Sequence, residues 1–193
     1  MMPSIVFPKY ESHHATIIGI DPGTRFMGVA ILTYDLKSLE IISSSTRTLV
    51  AARMALDVDA VYTHGEKFAR LLALEHELLL TFRMVEPIDV YCESPYYSGK
   101  TPSAFGPLIE TVQTVRRAVQ QYDNAMPLTT ITPSAIKSAI GASGGAKKGP
   151  VLHFMDGMTE SIRFNGDIMQ VDNNAVDALA IVVTGYKLAA GLI

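Results

Sequence analysis

The run Ala15–Ile20 (ATIIGI) constrains the fold most, because it is apolar at almost every position and is closed abruptly by the turn signal Asp21-Pro22-Gly23. It reads as a buried strand. Two further apolar runs follow at short spacing, Met27–Tyr34 (MGVAILTY) and Leu39–Ser44, and connections this short predict an antiparallel meander. The periodicity then changes: Val61, Phe68, Leu72, Leu79 and Phe82 recur at helical spacing and predict one long helix from about Val61 to Phe82. Ile88–Glu93 (IDVYCE) is a fourth strand, Ser103–Tyr122 a second helix, Thr129–Ile131 a short fifth strand with a helix from Pro133, and Asn173–Leu188 a last helix. Strands one and four are separated by the meander and a crossover helix, so they are expected to pair in parallel. The predicted fold is α/β: a five-stranded mixed sheet, antiparallel meander plus parallel strands, flanked by helices. No repeat, low-complexity tract or linker divides the chain, so residues 1–193 are expected to form one domain, with 1–14 irregular and Gly141–Gly149 (GASGGAKKG) the most flexible-looking segment.

With 48% hydrophobic and 18% charged residues, a packed globule is expected and disorder is not. No apolar run approaches the roughly 20 residues needed to cross a bilayer, and the N-terminal stretch lacks the pattern of a signal peptide. A single cysteine, Cys92, excludes an internal disulfide and suits a reducing, cytoplasmic setting (a host cell if the source is viral). The net charge of −3 runs mildly against nucleic-acid binding. Its distribution softens that objection. Asp57–Glu93 holds eight acids against three bases, whereas Ser94–Val171 holds seven bases against five acids, including adjacent Lys147 and Lys148.

Asp21 and Glu93 each end an apolar strand. In parallel neighbours about 4.8 Å apart, the two carboxylates meet at the edge where open α/β sheets place their sites. Like charges that close call for a cation between them, and oxygen donors suit magnesium or manganese better than zinc. Asp21 is equally readable as a plain turn residue. Asp177 interrupts the small, apolar surface of the last helix, with Asn173 and Asn174 its helical neighbours. Asp172 lies in the loop before that helix, where it either caps the helix or joins the site. The His residues show no zinc-site pattern, and Cys92 reads as a small hydrophobe in a strand.

Four segments carry a family resemblance: IIGIDPGTRFMGVAIL, YCESPYYSGK, ITPSAIKSAIGASGGAKKGPVLHFM and DNNAVDALAIVVTGY. In that order they resemble the acidic and basic motifs of RuvC-type Holliday-junction resolvases, of the ribonuclease-H-like nuclease superfamily. They span about Thr16–Tyr186. The resemblance implies a ribonuclease-H-like fold and a homodimer, with the second helix (Phe105, Leu108, Ile109, Val112) serving both core and interface. It also implies two-metal phosphodiester hydrolysis of four-way junction DNA with Mg2+ or Mn2+, two ions per site, and no small-molecule cofactor. By the same token Asp21, Glu93 and Asp177 are expected metal ligands. The fourth ligand is an acid in the family at the position held here by Asn174, so Asp172 stands as its substitute. Lys148 matches a lysine near the scissile phosphate, and Tyr96 matches an aromatic that stacks on bases. Lys100, Lys137 and Lys147 complete the expected DNA contacts. Gly-Ile-Asp-Pro-Gly-Thr also resembles the first phosphate loop of actin-like ATPases and sugar kinases. Those are built from two such domains, are much longer and carry a second phosphate loop that this sequence does not show. RuvC-like nucleases of RNA precursors, enzymes for other branched DNA, and a non-catalytic junction binder decayed at Asn174 are the nearer alternatives.

Overall fold

The computed structural model describes residues 13–95, 103, 105–142 and 148–193, with backbone alone at 148–150. One five-stranded sheet organises them. Its strands are β1 (His14–Asp21), β2 (Phe26–Asp35), β3 (Ile41–Val50), β4 (Asp89–Glu93) and β5 (Leu128–Ile131), in the spatial order β3-β2-β1-β4-β5. The meander β1-β2-β3 is antiparallel, while β4 pairs in parallel with both β1 and β5, giving the mixed sheet that the spacing of the apolar runs predicts. β1 begins at His14, inside the stretch expected to be irregular, and β3 runs to Val50 rather than stopping at Ser44. The longer β3 is polar (SSSTRT) and has no strand beyond it, which hid it from a search for apolar runs.

The helices are α1 (Val58–His64), α2 (Glu66–Val85), α3 (Phe105–Tyr122), α4 (Pro133–Ala139), α5 (Lys148–Asp156) and α6 (Asn173–Ala189). The single long helix expected over Val61–Phe82 is two. Gly65 breaks it with φ 86° and ψ 162°, a conformation outside the helical region that a residue with a Cβ rarely adopts. Among the described residues, no helix is long and apolar enough to cross a membrane.

Alternation along the strands divides the core in two. Ile18, Ile20, Met27, Val29, Val90 and Cys92 face α2 and α3, where they meet Leu74, Leu78, Phe82 and Val115. Ile17, Ala30, Leu32, Tyr34 and Tyr91 face the other way, against α4, α5 and α6. Both faces are covered, which is why β1 is apolar on successive residues.

α6 lies unusually close to the sheet. A Cβ added to Gly19 would stand 2.5 Å from the Val182 amide nitrogen and 2.6 Å from the Ala178 carbonyl oxygen. One added to Gly28 would run into the backbone carbonyl of Asn174. Because these obstacles are backbone, they cannot rotate away, and only glycine fits. We predict that Gly19→Ala lifts α6 from β1 and lowers stability by about 2–3 kcal/mol, which in thermal denaturation is a fall in Tm of roughly 5–10 °C. An unchanged Tm would show that the helix rides more loosely than this packing implies.

Candidate active site

The register of the sheet builds one end of the site. Ile20 pairs with Cys92 across β1 and β4, so the next residues, Asp21 and Glu93, end adjacent parallel strands side by side. Both lie on the α6 face, since they share the parity of Gly19 and Tyr91. Asp21 also pairs with Gly28 of β2, and Gly28 with Thr48 of β3. With no side chain at Gly28, the first turn of α6 settles beside Asp21. One turn further on, Asp177 reaches the same place.

The result is a cleft of about 250 Å³ lined by three acids, Asp21, Glu93 and Asp177, together with Lys137, Pro133, Ile136, Val151, Ala180 and Ile181. Lys137 comes from the last turn of α4, a helix started by Thr132, whose hydroxyl accepts from the Ala135 amide. The acids come from three separate elements and Lys137 from a fourth. The arrangement is therefore tertiary, and no local spacing encodes it. The apolar lining from α4, α5 and α6 escaped the sequence reading, which had no means of telling which core residues border a cleft.

Cys92, which precedes Glu93 on β4 and faces α2 and α3, is buried, as a small hydrophobe in a strand should be. Burial pushes its thiol pKa up, and the negative charges of Asp21 and Glu93 add to that. It stays protonated and takes no part in chemistry.

Asp172 is the N-cap of α6. Its Oδ1 accepts from the Thr48 hydroxyl at 2.7 Å, from the Asn174 amide at 2.9 Å and from the Ala175 amide at 3.1 Å. Partial burial raises its pKa, but the Thr48 hydroxyl and then the two amides outweigh that and hold it below the ordinary carboxylate value. Thr48 lies two strands from Asp21, about 10 Å at the usual strand spacing, so Asp172 stands toward the β3 side of the cleft and is not among its lining residues. Asn174 also lies outside the lining, though its backbone rests on Gly28 beside Asp21. Tyr96, Lys100 and Lys147 fall outside the described residues, as does the Lys148 side chain; the Lys148 backbone opens α5.

Among the described residues no three His, Cys, Asp or Glu side chains are gathered tightly enough to enclose an ion as they stand. The donor set itself is all carboxylate oxygen, without sulfur or imidazole in the lining, which is the chemistry of a hard cation such as Mg2+ or Mn2+.

A mixed sheet with an antiparallel meander, a parallel extension and acids at the ends of its first and fourth strands is the architecture of the ribonuclease-H-like class. Within that class the chain is RuvC-like. It is 26% identical over 176 residues to the crossover junction endodeoxyribonuclease RuvC of Dehalococcoides mccartyi, covering 90% of this chain and 92% of that one. To the RuvC of Bacteroides fragilis it is 27% identical over 164 residues, 85% of this chain and 78% of the other. Its fold matches Thermus thermophilus RuvC in complex with a Holliday junction substrate at a TM-score of 0.65 and 18% identity, over 92% of this chain and 96% of that one. It also matches the yeast mitochondrial Holliday junction resolvase at a TM-score of 0.63 and 11% identity, over 92% and 80% of the two chains. No protein-family model matches the chain.

The cap predicts a pH dependence. A carboxyl held below its ordinary value of 3.8 contributes stability that is complete above that value and is lost as pH falls through the lowered one. Asp172→Ala should therefore cost about 1 kcal/mol near neutrality. Below about pH 4 its stability should fall less steeply than that of the wild type, as read by denaturant titration across the acid range. Parallel acid profiles would mean that the carboxylate is not favoured by the fold.

Proposed function

We propose that this RuvC-like chain is a metal-dependent endodeoxyribonuclease that resolves four-way (Holliday) junctions by paired, symmetric nicks, acting in DNA recombination and repair in the cytoplasm. The observation that carries the reading is the meeting of Asp21, Glu93 and Asp177 with Lys137 in one cleft at the carboxyl edge of β1 and β4. The names of the relatives and of the junction-bound structural neighbour supply the substrate class. The whole chain, residues 1–193, is taken as one nuclease domain.

The three acids would hold Mg2+ or Mn2+, two ions per site. When bound, such ions activate a water for in-line attack and offset charge on the leaving 3′ oxygen. Asp21 and Glu93, fixed at strand ends, set the floor of the site, and Asp177 closes it from the helix. Asn174 and Asp172 are the candidates for a fourth ligand. Asn174 has the better position and Asp172 the charge. All the hydrogen bonds that cap α6 go to Oδ1 of Asp172, so capping leaves Oδ2 for another partner. Lys137 lines the cleft and suits the phosphate, a role we extend to Lys100, Lys147 and Lys148, with Lys148 nearest the scissile group and Tyr96 stacking on a base.

With Mg2+ or Mn2+, the protein should nick a labelled four-way junction at symmetric positions and leave an equal-length duplex intact, with no cutting in EDTA. Asp21→Asn, Glu93→Gln and Asp177→Asn should each reduce the rate at least about a hundred-fold, since even residues that only support metal ligands cost ten- to a hundred-fold. Comparing Asp172→Asn with Asn174→Ala at graded Mg2+ identifies the fourth ligand as the one whose loss raises the metal requirement. Tight junction binding without cutting would instead make this a non-catalytic junction protein, and cutting of structured RNA alone would move it to RNA processing.

Two symmetric cuts require two sites related by a two-fold axis, so we propose a homodimer. The groove of about 370 Å³ between α2 and α3, where Phe68, Leu71 and Ile109 meet, offers an apolar surface for the second copy. Val112, expected to serve both core and interface, is buried in the core, whereas Ile109 is exposed. Ile109→Glu should shift the protein to monomer by light scattering and turn paired nicks into single ones. Retention of both the dimer and paired cutting would place the interface elsewhere.

A further inference from the structure

Phe26 is a large aromatic side chain, 49% exposed, at the first position of β2. It shares the parity of Gly28, Ala30 and Leu32, so it stands on the α6 face of the sheet, one row outward from the row Asp21–Gly28–Thr48. The other exposed aromatic side chains among the described residues, Tyr62 and Phe68, belong to α1 and α2 on the opposite face. Folding alone gives no reason to display a phenyl ring in water at the rim of an acidic cleft. β2 pairs Phe26 with Val50, and neither buries the other.

The frame behind Phe26 is tightly built. The Asp-Pro-Gly turn packs so close to it that a Cβ on Gly23 would collide with the Phe26 carbonyl, and the Ala51 amide donates to the Arg25 carbonyl at 3.0 Å. Two exposed cations lie close to Phe26 along the chain and its strand partner: Arg25 precedes it, and Arg53 ends the short 3-10 turn that follows Val50. Asp172, the acid on this side, is committed to the cap and to Thr48. An exposed aromatic with arginines at neighbouring positions suits a nucleobase beside a phosphate, through stacking and charge. The position fits as well. Phe26 is two residues from Gly28, about 7 Å along the strand, which is within reach of a base close to a phosphodiester held at the acids.

We propose that Phe26 and Arg25 form a second nucleic-acid contact, with Phe26 stacking on an unpaired base at the branch and Arg25 binding an adjacent phosphate on the β2 side of the cleft, across from Lys137. This rests on the junction-resolving reading and adds to it the surface that orients the strand before cutting. Phe26 is a positioning residue, so its loss should weaken binding more than it slows the chemical step.

The test uses a four-way DNA junction carrying 2-aminopurine beside the branch point. Binding is measured in EDTA, and single-turnover cleavage is measured in Mg2+. Phe26→Ala and Phe26→Leu should both bind about ten-fold more weakly and lose the change in 2-aminopurine fluorescence, while Phe26→Trp keeps both. Arg25→Gln should reduce the slope of log affinity against log salt by about one. Leucine preserves the apolar bulk and therefore the fold, so it decides the question even if the alanine variant is unstable. If the wild type cuts the junction and Phe26→Leu equals it in affinity and fluorescence, the stacking site is refuted while the resolvase reading stands. An unchanged slope in Arg25→Gln removes the arginine from the site. If the wild type neither binds nor cuts the junction, both readings fall together.

Discussion

The contact on which the rest of the molecule depends is the seating of α6 on β1 and β2 through Gly19 and Gly28. A side chain at either position would hold the helix off the sheet by about a carbon's width, and the obstacles are backbone atoms that cannot turn aside. That seating fixes the height of Asp177 over the strand ends, brings the Asn174 backbone beside Asp21, and lets the cap at Asp172 reach Thr48 of β3. Metal-dependent cleavage needs acids placed to within a fraction of an ångström. Here two acids stand on strand ends and the third on a helix locked to those strands. The three acids are thus held on regular elements.

The opposite face of the sheet is held by different means. Glu75 is buried between α2 and α3, where it accepts from Arg117 at 2.8 Å and from Gln121. Arg117 also donates to Thr114, and Arg47 on β3 reaches Thr81 of α2 at 2.7 Å. Glu75 is the buried partner and Arg117 is half exposed, so the pair adds little net stability, but losing Arg117 would leave a buried carboxylate short of a partner. α3 is thereby fixed relative to α2. The exposed part of its first turns, including Ile109, is presented in one orientation, which a two-fold interface needs.

What the sequence disclosed followed physical reach. The five strands, the antiparallel meander and the parallel pairing of β1 with β4 were legible because two-sided burial makes apolar runs, and short loops leave few topologies. The place of β5 beside β4 was not. Asp21 and Glu93 were legible as strand-end acids. Gly65 was passed over because an isolated glycine within a helical pattern is usually tolerated, and only its backbone angles reveal the break. β3 was cut short because a polar strand at the sheet edge has no apolar alternation to detect. Asp172 illustrates a different limit. Capping and metal binding require the same residue type in the same place, and Thr48, the partner that commits its Oδ1, lies 124 residues away in sequence. Phe26 was invisible for a related reason: an aromatic at the start of an apolar strand looks like core until its row of the sheet is known.

An acidic protein with a net charge of −3 can still take up a polyanion if its negative charge is placed where cations neutralise it. Three acids line the cleft, and Asp172 is committed at the cap. Other acids fall on α2 and α3, where Glu75 is already paired and Glu66 and Glu110 meet Arg70 and Lys67. Lys137 of α4 lines the cleft, and Arg25 and Arg53 are exposed next to the paired ends of β2 and β3. If the acids hold ions as proposed, a strand laid from Lys137 across the cleft would meet positive charge along its path. The overall sign of the protein says little about this path. On the proposed reading, such a path would bind a nucleic acid well only with ions at the acids, which would tie recognition to the same carboxylates that are proposed to hold them.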